Sequence, residues 1–78
     1  MNEVDKLRVL LPHWLEHNEE HAADFARWAA TVEEAGQREA AAQIRSAIEH
    51  MEQANEALRA ALETLGGAIA VEGHGHGH

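Results

Sequence analysis

The densest run of side chains able to do chemistry is HWLEHNEEH, residues 13–21. His13, His17 and His21 recur at every fourth position, so on a helix they stand one turn above another on one side. Two imidazoles so placed can chelate a single metal ion, and Glu20 and Asp24 add carboxylate oxygens close by. That donor set suits a divalent transition metal: zinc, nickel, cobalt, copper or iron. His50 is the remaining helical histidine. If the two long helical segments lie antiparallel, it stands nearly level with His21. A site of His17, His21 and His50, completed by Asp24 or Glu20, is therefore the expectation, with His50 turned furthest from the helix–helix seam. The competing reading is that these histidines are simply solvated, or that His21 is a buried residue donating to a carbonyl or to Asn18.

Residues 17–21 also spell H-x-x-E-H, the order in which two histidines hold zinc and a glutamate activates water. Five residues are a weak pattern, and this chain is short for a substrate cleft. Ser46 is the only serine and there is no cysteine, so no nucleophile offers itself either. A non-enzymatic protein is expected. The ending GHGHGH places His74, His76 and His78 at alternate positions. It reads as an added tag or as a metal-catching arm, since histidines free of tertiary structure bind Ni²⁺, Cu²⁺ or Zn²⁺ readily.

Three marks of punctuation decide which elements position these groups: Pro12, Gly36 and Gly66-Gly67. Residues 12–35 and 37–65 each read as a long helix, with proline favourable at a first helical position and glycine at a helix end. The short link at Gly36 makes them an antiparallel hairpin. Leu11, Leu15, Asn18, Ala22, Phe25, Ala29 and Val32 step alternately by four and three. Ala41, Ile44, Ile48, Met51, Asn55, Leu58, Leu62 and Leu65 do the same. This is the spacing of a helix–helix seam. Folding at Gly36 pairs Val32 with Ala41 and Ala29 with Ile44, and carries on to Leu11 with Leu62. Residue numbers in every pair share one sum, and the one polar residue on each side, Asn18 and Asn55, meets the other. A second stripe flanks the seam, with Trp14, His21 and Trp28 on one helix and Ala40, Ala47, Ala54 and Ala61 on the other. Bulky tryptophan beside small alanine reads as a surface awaiting another helix.

A third, shorter helix is expected in residues 2–11, with Asn2 and Asp5 as capping residues and Pro12 as the break. Folded back, Val4, Leu7 and Leu10 would cover the stripe. The fold expected is thus all-α: an antiparallel helical hairpin plus a short N-terminal helix. It would form a three-helix bundle, or a four-helix bundle by dimerisation. Residues 1–67 make the helical domain and 68–78 a flexible Gly/His tail. One long kinked helix is the alternative, because Val4, Leu7 and Leu11 continue the seam backward.

The stretch from Leu11 and Pro12 through His13, Trp14, His17, Asn18, Glu19, Glu20 and His21 resembles a group of small prokaryotic helical domains. Their shared core is Leu-Pro-His-Trp-x-x-His-Asn-x-x-His, followed by a helix rich in alanine and glutamate. The likeness extends through most of residues 7–65. It implies a helical domain concerned with nickel or cobalt, and it supplies no established activity.

Length and composition bound these readings. Seventy-eight residues make one small domain. Sixteen of the apolar residues are alanine, the best helix former, which favours helices over sheet. The net charge is −8, from 14 acids and 6 bases. Nucleic acid and anionic membrane surfaces are thereby disfavoured as partners. Metal ions, a second copy or a larger protein are the partners expected. No apolar run approaches the roughly 18 residues of a membrane span. The acidic start carries no secretory signal pattern, so a cytoplasmic protein is expected.

Overall fold

A computed structural model describes residues 2–69. Helix α1 spans Glu3–Glu34 and helix α2 spans Arg38–Leu65, and no strand occurs among the described residues. Most of the expected flexible tail, residues 70–78 with His74, His76 and His78, lies outside the described residues.

Each helix boundary has a local cause. Asn2, in extended backbone, accepts a hydrogen bond at its Oδ1 from the Asp5 amide at 2.7 Å. That satisfies one of the amides a helix start leaves unpaired. Asp5 is therefore not the cap; it lies in the first turn, where its charge and that of Glu3 oppose the positive end of the helix dipole. At the other end Gly36 takes φ +93°, in the left-handed region that costs glycine little. The turn lets the Gly36 amide donate to Glu33 O at 3.0 Å and the Gln37 amide to Val32 O at 2.9 Å. This double bond pattern is the Schellman closure. It reverses the chain within residues 35–37 and sends α2 back along α1.

The seam forms in the register that the residue spacing dictates. Asn18 donates its amide to Asn55 Oδ1 at 2.8 Å. Leu11, Leu15, Ala29, Ala41 and Asn55 are buried, and most other seam residues are half-buried. Phe25 is the exception at 38% exposed. Its neighbours Ala22 and Ala29 are small, and Ala29 and Ala41 are fully enclosed at 0%. The phenyl ring instead lies 6.2 Å from the His21 ring, toward the exposed side of the seam.

The expected break at Pro12 does not occur. Pro12 sits inside a continuous α1, although its ring removes one backbone donor and crowds the carbonyl of Arg8. Contacts on both sides hold the helix straight through. Leu11 and Leu15 are 2% and 8% exposed against α2. One turn earlier, Arg8 donates through Nε to Gly67 O at 2.6 Å and through Nη2 to Gly66 O at 3.0 Å. The separate short helix, and with it a three-helix bundle, is not formed among the described residues. Val4 and Leu10, expected to cover the tryptophan stripe, stay 48% and 42% exposed.

The result is a slab with principal extents of 51 × 27 × 14 Å. A helix with side chains is about 10–12 Å across, so the slab is one helix thick. Its two broad faces differ. One carries the polar links between the helices: Arg59 to Glu19 at 2.7 Å, Arg45 to Glu33 at 2.8 Å, and Arg8 to the end of α2. Arg45 and Arg59 reach across to carboxylates on α1 that stand five residues from their own level, a gap of about 7.5 Å that the long arginine side chain spans. The opposite face carries the tryptophans.

Candidate functional site

The HWLEHNEEH run lies wholly within α1, so its histidines take true helical positions. His17 and His21 bring their rings together, with centroids 6.5 Å apart and planes tilted by 37°. His21 in turn stands 6.2 Å from the Phe25 ring. A metal-bound nitrogen sits about 2.0–2.1 Å from the ion, which puts each ring centre roughly 3 Å from it. Two rings on one ion are therefore at most about 6 Å apart. A small side-chain rotation brings His17 and His21 within that limit.

The rest of the expected ligand set is not gathered round them. Among the described residues no group of three or more His, Asp or Glu side chains is assembled that could hold a metal ion. His13, Glu20 and His50 are exposed at separate places, and Asp24 is paired with Arg27 one turn on. The reason lies in angle rather than height. His50 stands nearly level with His21, as the register requires. At 100° per residue, however, His17 lies about 110° round α1 from the seam and His50 about 120° round α2. Both point past the plane of the tryptophan face, toward opposite margins of the hairpin. The reading of His21 as a buried donor also gives way: His21 is exposed, and Asn18 spends its amide on Asn55.

The face between those margins carries no polar link between the helices and exposes large apolar side chains. Trp14 is 45% exposed and Trp28 63%, with Leu10 and Phe25 beside them. Across from them on α2, Ala47, Ala54 and Ala61 are exposed in a row. Between Leu10 and Trp28 on α1, and between Ala40 and Ala61 on α2, the positions pointing squarely outward from this face carry no Lys, Arg, Asp or Glu. In a chain with 14 acids and 6 bases that is a marked segregation.

Arg8 was not singled out from the sequence. Its signal is positional: the constant sum that pairs Asn18 with Asn55 puts Arg8 level with Leu65, beside the carbonyls that the Gly66-Gly67 turn exposes. A side chain at Gly66 would be strained by its φ of +115°, and its Cβ, 3.1 Å from the Arg8 guanidinium carbon, would push that group aside. On the same face Glu19, Glu52, Glu56 and Arg59 line a shallow groove over Asn55.

No helix among the described residues is long and apolar enough to cross a membrane. No curated protein and no solved structure matches the chain. The family model of DUF8180, a domain of unknown function, matches residues 7–65, from the residue before Arg8 to the last residue of α2. With most of its length so matched, the chain belongs to the DUF8180 family.

Proposed function

We propose that this protein is a non-enzymatic, cytoplasmic binder of a divalent transition metal ion, of the storage, chaperone or sensor kind. Nickel and cobalt are favoured, and zinc and copper are compatible with the same donors. The observation that carries the reading is the His17–His21 pair, with rings 6.5 Å apart, exposed on an acid-rich helix. Imidazole is a good donor to these ions, and the surrounding carboxylates raise the local cation concentration. His74, His76 and His78 extend the reading to capture or release of ions by the tail.

The test uses the full-length chain with His74→Asn, His76→Asn and His78→Asn, so that the tail does not mask the helix. Ni²⁺, Co²⁺ and Zn²⁺ are titrated by calorimetry into this protein and into the same protein with His17→Ala and His21→Ala. The expected result is a loss of at least about tenfold in affinity, or about 1.4 kcal/mol. Equal binding by both proteins removes the helix from the site.

A second reading is an association module with no functional metal. The uncharged tryptophan–alanine face favours it, since exposed patches of this kind mark interaction surfaces. A chelator then leaves assembly unchanged, as sedimentation would report.

A further inference from the structure

We propose that a second copy of this chain covers the tryptophan face, and that His50 of that copy completes the metal site begun by His17 and His21. The metal half rests on the reading just given; the dimer half does not.

The surface needs an occupant. A two-helix slab of this size buries little, and isolated hairpins of this length rarely hold a core alone. The slab's outline of 51 × 27 Å can accommodate the about 800 Å² per partner of a typical stable interface, with the uncharged stretch from Leu10 to Trp28 running about 27 Å of its length.

The occupant is argued from symmetry and charge. A two-fold interface must be complementary to itself. This face carries a bulky row on α1 and a small row on α2, side by side. A half-turn about an axis along the helices exchanges the rows and keeps every height. Under the seam register Trp14 stands level with residue 59 and Trp28 with residue 45. The exposed alanines Ala61 and Ala47 lie two residues away, about 3 Å along the axis. Each tryptophan of one copy then settles over an alanine of the other, and every neighbouring helix pair runs antiparallel. Charge agrees: two copies at −8 each repel, so their contact has to avoid acids, and this face does.

The same operation gathers the histidines. Within one hairpin His17 and His50 point to opposite margins. After the half-turn α2 of the second copy lies beneath α1, and its outer margin becomes the margin of α1. His50 of the second copy then faces the edge that carries His17 and His21, about 3 Å from His21 and about 9 Å from His17 along the axis (two and six residues at 1.5 Å each). Two imidazoles become three, the number of protein ligands a coordinating site commonly uses before water. Two such sites form, one on each edge of the dimer.

Sedimentation equilibrium of the full-length chain should give twice the 8.6 kDa chain mass. Ala54 is exposed in the single hairpin, so Ala54→Glu should keep its helical circular dichroism and sediment as one chain. A single-chain mass for the unsubstituted protein, or an undisturbed dimer in Ala54→Glu, overturns the interface. The shared site is tested by Co²⁺ titration in the tail-substituted chain. His50→Ala alone and His17→Ala/His21→Ala alone should each lose the site. Mixed in equal amounts and allowed to exchange, they should recover about a quarter of the sites, because half the dimers are mixed and each holds one intact set. No recovery, with metal still bound by the parent protein, means that the ligands come from one chain and overturns the sharing. Undiminished binding by His17→Ala/His21→Ala instead defeats the metal reading while leaving the dimer mass to stand or fall separately.

Discussion

Asn55 is the one polar residue among the described positions that is almost wholly buried, at 3% exposed, and its partner is Asn18. No buried side-chain nitrogen or oxygen among the described residues lacks a hydrogen-bond partner. Paired amides contribute little net stability, but an orphaned one is costly. Asn55→Ala should therefore lower the unfolding free energy by about 1–3 kcal/mol, read from the urea midpoint. Replacing both with leucine should recover that loss or exceed it. The expected penalty of the double change is in uniqueness: a continuous apolar seam no longer distinguishes this alignment from one shifted by a heptad. Broadened amide resonances in the Asn18→Leu/Asn55→Leu protein would show it. This pairing was legible in the sequence because it rests on counting alone. The histidine cluster was less so. Spacing gives the height of His50 along the helix well but its direction round the helix only coarsely. Asp24 had a competing partner in Arg27 three residues on.

Helix α1 is the element that departs most from expectation. Proline at position 12 would start a helix well and interrupts one badly. The two cases predict opposite signs for one substitution. In a continuous α1, Pro12→Ala restores a backbone donor to Arg8's carbonyl and removes the crowding. Part of that gain is offset by the greater freedom of the unfolded chain. A net stabilisation of about 1–2 kcal/mol is expected in chemical denaturation. A break at Pro12 would instead give no gain or a loss. The sequence did contain the deciding contacts. Leu7 and Leu11 carry the seam pattern through the proline, and α2 runs on to Leu65 opposite them. What was hard to read was the weight of the two. Proline's local preference is visible in one residue, whereas the opposing force is spread over a seam and the Arg8 contacts. Helix α2, with alanine and long unbranched side chains and no internal proline, ended where its glycines indicated.

At the scale of the whole molecule, the slab has a polar face that ties its two helices together and an uncharged face with two tryptophans. If a second copy covers the latter, folding and association are linked. The thermal midpoint should then rise with protein concentration, as mass action requires. Differential scanning calorimetry over a hundredfold range of concentration would measure it, and Ala54→Glu should flatten the dependence. The Arg8 contacts have a consequence of their own. A hairpin is ordinarily a fork, joined at its turn and free to unzip from the other end. Here the tines are clasped: Arg8 grips the Gly66 and Gly67 carbonyls at the end remote from Gly36. The chain is thus a closed loop in mechanical terms, and opening from its tip must first release that grip. Amide exchange in residues 6–11 should accordingly resist fraying as strongly as the residues beside Gly36, and should lose that parity in Arg8→Met.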